Sequence, residues 1–131
     1  MFDALIVGGG AAGLSCALVL GSAENKVFAK DKHIGIITHQ KTSHLQTALF
    51  NNVLGFTPGT TGASILESGK AQLSSLYPHV EQIDTEKVSE LSKIQNGFEI
   101  KTPKTLKNLI KPFFPSTVGM VIILTKLDPF A

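Results

Sequence analysis

A glycine-rich turn between two apolar segments restricts the folds open to this chain more than any other feature. Residues 3–7, Asp-Ala-Leu-Ile-Val, form a short apolar run that is typical of a buried parallel strand. From Ala11 to about Leu20, apolar residues recur at the spacing of one helix face. The turn between these segments has the spacing G-x-G-x-x-G, carried by Gly8, Gly9, Gly10, Ala11, Ala12 and Gly13. The pattern predicts a strand, a tight turn and a helix.

A second apolar run follows the helix. Val27-Phe28-Ala29 predicts a short buried strand that ends in Lys30-Asp31. Asp31 then stands 23 residues after Gly8, close to the offset of about 20 at which a carboxylate follows the glycines in dinucleotide-binding folds. The unit over residues 1–31 predicts the start of an α/β, Rossmann-like domain with a parallel sheet and crossover helices.

Three glycines of the turn each meet a physical requirement of a dinucleotide site. Gly8 permits the tight turn, Gly10 lacks the Cβ that would keep a pyrophosphate away from the backbone, and Gly13 lets helix and strand pack closely. The free amides at the helix N-terminus, with about half a positive charge from the helix dipole, hold phosphate without any Lys or Arg. We therefore predict that this turn binds a dinucleotide.

The acidic residue after the second run has a role of its own in this prediction. Asp31 is expected to accept hydrogen bonds from the adenosine ribose. Its neighbours Lys30 and Lys32 could attract a 2′-phosphate, but a chain without Arg is a poor candidate for NADP. From these residues alone, FAD and NAD(P) both remain open as the cofactor.

The middle of the chain predicts one more helix and a group of strands. Thr60 or Thr61 caps a helix that runs through Leu76 and stops at Pro78. Residues 80–83, 88–94 and 98–102 predict three strands of a small antiparallel group. One face of the helix carries Ile65, Leu66, Leu73 and Leu76.

Two segments show weaker patterns. Residues 33–62 are rich in Thr, Asn, Gln and Gly, and predict a cofactor-covering loop with a short helix. Residues 121–124 predict another buried strand, whereas residues 103–119, interrupted by prolines, carry no clear pattern. We expect a single, incomplete domain over residues 1–131 with an atypical tail from 103 to 131.

Composition excludes several function classes. The twelve basic residues are all Lys and are scattered along the chain, which argues against nucleic acid as a partner. The single Cys16 is expected to be a small core residue and allows no dithiol chemistry within the chain. The uncharged stretch 4–23 is interrupted by glycines and lacks an upstream Lys, so we expect neither a membrane span nor an export signal. We therefore expect a cytoplasmic protein.

Other catalytic and metal sites lack their usual spacing. The four histidines show no H-E-x-x-H or carboxylate pattern, so no metal site is predicted. No G-x-S-x-G sequence is present, so hydrolase chemistry has no support. No catalytic residue is assigned, and whether the chain is an enzyme is left open.

The quoted motifs resemble a known family. The start of the chain, MFDALIVGGGAAGLS, is similar to the N-terminus of thioredoxin-reductase-like flavoproteins of the pyridine nucleotide-disulfide oxidoreductase superfamily. Agreement continues in residues 26–31, in the helix 65–76 with the following Tyr77-Pro78, and in residues 97–102. The resemblance covers about residues 1–102.

This resemblance implies a cofactor and further contacts. In the family the first G-x-G-x-x-G binds FAD, which favours FAD over NAD(P) for the glycine turn and Asp31. The same analogy places residues 42–59, including Asn51 and Asn52, near the flavin and Val88 near the adenine. Thr125 is the one residue of Leu124-Thr125-Lys126 that matches the family's Ala-Thr-Gly beside the cofactor.

The resemblance also implies that the chain is a truncated part of the family's fold. Family members continue with an NAD(P)H domain and the second half of the FAD domain, and pass electrons from NAD(P)H through the flavin. We therefore expect an FAD-binding part that is not active alone and is completed by a separate polypeptide or by self-association. The alternatives are an NAD(P)-binding module that works with a partner, and a non-catalytic remnant.

Overall fold

The structure is a computed structural model that describes residues 2–39, 45–84, 86–94 and 97–103, together with the backbone strands at 106–110 and 120–123. It contains two helices and nine strands within these ranges. The helices are α1 (Ala11–Ser22) and α2 (Gly62–Leu76). The strands are β1 (Ala4–Val7), β2 (Ile34–Thr38), β3 (Leu49–Phe50), β4 (Thr60–Thr61), β5 (Glu81–Asp84), β6 (Glu90–Ile94), β7 (Gly97–Lys101), β8 (Leu106–Ile110) and β9 (Met120–Ile123).

A parallel sheet of four strands organises the fold, in the order β5-β2-β1-β9. Ala4 pairs with Ile34 and Val7 with Ile37, so β1 and β2 run in step. The chain moves outward from β1 to β2 and then β5, and returns to the other side of β1 as β9. The strand order therefore reverses at β1, which is the position where parallel α/β sheets commonly open a crevice for ligands.

The two helices cover one face of this sheet. Side chains from β1 and β2 pack there against α1 and α2, and Gly21 lies so close to Tyr77 that a Cβ would come within 2.8 Å of the ring. The buried members of this cluster are Ile6, Leu14, Ala17, Ile34, Ile36, Leu66, Leu73 and Val80. Alternate strand residues point to opposite faces, so the remaining side chains of the sheet need a second cover.

An antiparallel sheet contributes to the core on the other face. Strands β6, β7 and β8 form it in that order, and Ile100 of β7 is buried among residues of the parallel sheet. The cluster consists of Phe2, Leu5, Ile37, Ile83 and Ile100. The result is a three-layered α/β domain in which helices, parallel sheet and antiparallel sheet follow one another. This confirms the predicted fold class.

The prediction of a strand at Val27-Phe28-Ala29 is wrong. This segment forms turns in which Val27 is 97% and Phe28 54% exposed. The second parallel strand is β2, whose five residues are all buried. Gly35 interrupts the apolar run of β2 and so weakens its strand pattern in the sequence. A glycine fits here because Phe2 packs over it, and a Cβ would come within 2.9 Å of the Phe2 ring.

The predicted helix after Thr61 is confirmed. Thr61 is the N-cap of α2, and its hydroxyl accepts a hydrogen bond from the Ser64 amide at 3.2 Å. Leu66 and Leu73 lie on the buried face as expected, but Leu76 is 56% exposed because the helix ends there. Within the described part of the chain, neither helix has the length and apolar character needed to cross a membrane.

The structure corrects three further predictions, for the segment 33–62, for the strand at 80–83 and for the stretch from 103. The described part of the segment 33–62 holds β2 and the β3–β4 pair, and residues 45–61 contain no helix. The strand predicted at 80–83 is β5, which pairs parallel with β2 and does not belong to the antiparallel group. The patternless stretch from 103 contains β8, while the strand expected at 121–124 is present as β9.

Candidate functional site

The glycine loop makes the turn that its sequence predicts. Gly8 has a φ of +120°, in the region that side chains rarely adopt. Its amide donates a hydrogen bond to the Ile37 carbonyl at 2.9 Å, which ties the end of β1 to the end of β2. The chain can therefore leave the sheet and enter α1 within three residues.

Two further glycines of the loop serve opposite purposes. A Cβ on Gly13 would clash with the carbonyl oxygen of Gly8 and lie 3.0 Å from its carbonyl carbon, so this position keeps helix and strand in close contact. A Cβ on Gly10 would meet no heavy atom of the described residues within 4 Å. A side chain at position 13 would therefore destabilise the fold, whereas Gly10 leaves open space beside the backbone.

The N-terminus of α1 opens into that space. Gly10 is the N-cap, and the fully described helix has neither a side-chain cap nor an acidic residue in its first turn. The first hydrogen bond of the helix runs from the Leu14 amide to the Gly10 carbonyl at 3.0 Å. The preceding amides and the positive end of the helix dipole remain available to an anion, and the exposed Ala11 and Ala12 do not cover them.

Two polar residues follow the neighbouring strands at the same edge of the sheet. Thr38 ends β2 and lies against Gly9, where a Cβ would come within 2.7 Å of the Thr38 Cβ. Asp84 ends β5, and its Oδ1 accepts a hydrogen bond from the Thr38 hydroxyl and another from the Lys70 ammonium at 3.3 Å. The Thr38 hydrogen bond and the Lys70 charge lower the pKa of Asp84, so its carboxylate is charged at neutral pH.

Asp31 and Lys32 do not join this group. They precede β2, whereas the glycine loop follows β1, and parallel strands place these positions at opposite edges of the sheet. Lys32 forms an ion pair with Asp3 at 3.4 Å, at the start of β1. The expectation that Asp31 ends a strand beside the loop is wrong, because it rested on the misplaced second strand.

The remaining predicted residues lie at separate places. Asn51 follows β3, and its side-chain oxygen accepts a hydrogen bond from the Gly59 amide at 2.9 Å, which closes the loop between β3 and β4. Val88 precedes β6 and packs against the core cluster that contains Ile100. Thr125 lies outside the described residues. A contact of any of these residues with a cofactor stays a prediction.

Sequence reasoning missed Thr38, Asp84 and Lys70. A usable signal was present, because Thr38 directly follows the run Ile-Gly-Ile-Ile and Asp84 directly follows an apolar-ended strand. Polar residues at the carboxyl ends of parallel strands commonly face a ligand. Lys70 had no such signal, since its position beside Asp84 depends on how α2 packs on the sheet.

Cys16 and the histidines in the described part of the chain form no second candidate site. The Cys16 thiol is half-buried against the helix-side core, and this burial raises its pKa, so it is a protonated thiol at neutral pH. Within the residues that the structure describes, no three His, Cys, Asp or Glu side chains come together to hold a metal ion.

Comparison with solved structures relates the fold to known proteins. An oxidoreductase from Agrobacterium tumefaciens is 23% identical and has a TM-score of 0.67, with 93% of this chain covered. Thioredoxin reductase from T. acidophilum is 22% identical at a TM-score of 0.65 and 93% coverage. The atypical thioredoxin reductase from Desulfovibrio vulgaris Hildenborough is 19% identical at a TM-score of 0.67 and 98% coverage.

These likenesses concern the fold and only part of each protein. The chain spans 35%, 34% and 38% of the length of these three structures. A scan against models of known protein families finds no match, and no curated protein matches the sequence. The resemblance to thioredoxin-reductase-like proteins is thus confirmed for the fold, and the similarity covers one part of those proteins.

Proposed function

We propose that this chain, whose fold is that of one part of thioredoxin reductases and related oxidoreductases, binds FAD through its glycine loop. One observation carries the proposal: the uncapped N-terminus of α1 and the empty space beside Gly10 lie together at the carboxyl end of β1. This is the point at which the strand order of the parallel sheet reverses. A pyrophosphate fits such a place by both shape and charge.

The residues present fit the phosphate part of a dinucleotide. The amides that follow Gly10 can donate to phosphate oxygens, and Gly10 itself has no side chain to obstruct them. The loop also carries no carboxylate that would repel phosphate, since residues 8–13 are all Gly or Ala. The chain's contribution is to bind and orient the cofactor, and bound flavin supplies the redox chemistry.

The choice of FAD over NAD(P) rests on the sequence resemblance. The glycine loop serves either dinucleotide equally well, because both contain a pyrophosphate. The loop between β3 and β4, held by Asn51 and Gly59, exposes Leu54 and Phe56 as apolar surface. Such side chains can cover an aromatic ring, which supports the predicted position of this segment near the flavin.

In this role the chain supplies flavin binding within a thioredoxin-reductase-like oxidoreductase. Electron transfer from NAD(P)H to flavin requires a nicotinamide-binding part in addition. A cytoplasmic location belongs to the same proposal.

Absorbance and titration test the proposal. The purified chain is examined for a flavin band in the visible range, and the apoprotein is then titrated separately with FAD and with NADH by calorimetry. We expect saturable binding of FAD and weaker binding of NADH. A chain shown to be folded by circular dichroism that binds neither would overturn the proposal, and a clear preference for NADH would favour an NAD(P)-binding module.

A paired variant identifies the site. Gly10→Val places its Cβ where no described heavy atom lies within 4 Å, so we expect the fold to be retained and FAD binding to fall at least about 10-fold through lost charge-assisted hydrogen bonds. Ala71→Val adds similar bulk to an exposed position of α2 and leaves binding unchanged. Equal affinity of Gly10→Val and the parent chain would contradict this site.

A further inference from the structure

We infer that Asp84, which ends β5, supplies the carboxylate that receives the adenosine ribose of the dinucleotide. Folds of this type commonly use an acidic residue near the end of the second strand for this purpose. In this chain the second strand ends in the uncharged Thr38. The inference rests on the proposed function and names the residue that selects the nucleotide.

Thr38 ends β2 directly beside the glycine loop. Its side chain lies against Gly9, so nothing separates the end of β2 from the phosphate-binding turn. The adjacent amide of Gly8 is held by Ile37, the residue before Thr38. The end of β2 therefore lies beside the phosphate-binding loop, where a ribose attached to the bound pyrophosphate is to be expected.

The pairing of β5 with β2 brings a carboxylate to that place. Thr38 and Asp84 are direct partners in the register of β2 and β5, and the Thr38 hydroxyl donates a hydrogen bond to Oδ1 of Asp84. The carboxylate thus leans from its own strand toward the end of β2. The Asp84 carboxylate, although it belongs to β5, therefore lies where an acidic residue at the end of β2 would place its carboxylate.

One oxygen of the Asp84 carboxylate remains available to a ligand. The two hydrogen bonds that Asp84 accepts, from Thr38 and from Lys70, both use Oδ1. Within the described part of the chain, Oδ2 is left to accept hydrogen bonds from a ligand. The Asp84 side chain is 56% exposed, so a ribose hydroxyl can reach it.

This arrangement has a consequence for nucleotide selection. A carboxylate accepts hydrogen bonds from the 2′-hydroxyl of ADP-containing ligands and repels a 2′-phosphate. Lys70 already forms an ion pair with Asp84. Its positive charge is thereby compensated and gives a 2′-phosphate little attraction. The site therefore favours FAD or NAD over NADP.

Calorimetric titration with ADP and with 2′-phospho-ADP tests the inference on the intact chain. The parent chain is expected to bind ADP at least about 10-fold more tightly than 2′-phospho-ADP. Asp84→Asn keeps the size of the side chain and removes its charge, which weakens ADP binding about 10-fold. It also frees Lys70 for the 2′-phosphate, so the preference for ADP disappears.

Two companion variants sharpen the test. Glu90→Gln removes another exposed carboxylate that is paired with a lysine, Lys101 at 3.0 Å, in the antiparallel sheet. It should leave both affinities unchanged. Thr38→Val removes the hydroxyl that positions Asp84 while preserving the side-chain shape, and should reduce the preference for ADP in the same direction as Asp84→Asn.

The outcomes separate this inference from the proposed function. If Gly10→Val abolishes ADP binding while Asp84→Asn retains the affinity and the preference of the parent chain, the loop binds the nucleotide and the role of Asp84 is overturned. If the folded parent chain binds no ADP, both are overturned. Loss of the ADP preference in Asp84→Asn, with Glu90→Gln unchanged, supports the inference.

Discussion

Thr38 packs directly against Gly9, so that the middle of the glycine loop and the end of β2 share one contact surface. A Cβ on Gly9 would lie 2.7 Å from the Thr38 Cβ, well inside van der Waals contact. The same threonine is hydrogen-bonded to Asp84 at the end of β5. The ends of three neighbouring strands are thereby connected to the loop that we propose binds phosphate.

Alanine at Gly13 and at Gly10 should have opposite effects on stability. Gly13→Ala places a methyl group against the Gly8 carbonyl and should lower the free energy of unfolding by about 1–3 kcal/mol or more. Gly10→Ala meets open space at an ordinary φ of −75° and should leave stability unchanged within about 1 kcal/mol. Urea unfolding followed by circular dichroism measures both, and equal losses would refute the close approach at Gly13.

Lysine substitutions test the position of the second parallel strand. Ile36→Lys buries an ammonium group at a fully buried position of β2 and should prevent folding. Val27→Lys places the same group at a position that is 97% exposed and should be tolerated within about 0.5 kcal/mol. Circular dichroism and thermal unfolding decide between them, and a well-folded Ile36→Lys protein would contradict the assignment of β2.

Two leucines of α2 provide a matched pair. Leu73 is fully buried, so Leu73→Ala should cost about 2–5 kcal/mol of unfolding free energy. Leu76 is more than half exposed, and Leu76→Ala should cost less than about 1 kcal/mol. Chemical denaturation of both variants measures the difference. Similar losses would mean that the last turn of α2 is packed as the sequence pattern suggested.

Asp84 should stabilise the fold in a pH-dependent way. Its pKa in the folded chain is lowered from 3.8 by the Thr38 hydrogen bond and by Lys70, so the unfolded chain takes up the proton first as pH falls. The stability that it contributes is complete above pH 3.8 and decreases as pH falls through the lower folded pKa. Because the group is exposed, this contribution is at most about 1 kcal/mol.

Unfolding measurements at several pH values check this dependence. The difference in unfolding free energy between the parent chain and Asp84→Asn should be constant from neutral pH down to about pH 5 and should shrink below pH 3.8. Glu67→Gln, a change of an exposed carboxylate on α2, serves as the control for net charge. A difference that grows on acidification would have the wrong sign.

The sequence predicts those parts of the fold that depend on local pattern. The glycine spacing, the Thr61 cap and the antiparallel pairing of β6 with β7 are local, and the structure contains all three. The position of β2 is not local, because Gly35 weakens its pattern and its burial depends on Phe2 and the two helices. The apolar triplet 27–29, in which Val27 and Phe28 are exposed, therefore looked more like a strand than β2 did.

The same distinction holds for the candidate site. The loop could be predicted because its glycines meet local requirements. Gly8 adopts a positive φ, and Gly13 lets α1 approach the end of β1, within one strand-turn-helix segment. Asp84 has a sequence signal as a polar residue after an apolar-ended strand, but its contact with Thr38 could not be predicted, because only the pairing of β5 with β2 brings the two together. The incorrect placement of Asp31 at the end of a strand followed from counting an offset along the chain without knowing where the second strand ends.

The most direct measurement maps nucleotide contacts on the intact chain. Backbone amide shifts of the isotope-labelled protein are recorded by NMR during titration with ADP. We predict saturable shifts at residues 8–14, at Thr38 and at Asp84, around the carboxyl edge of the sheet. Shifts confined to the groove at the opposite edge, which Lys30, Asp31, Lys32 and His79 line, would contradict the proposed site.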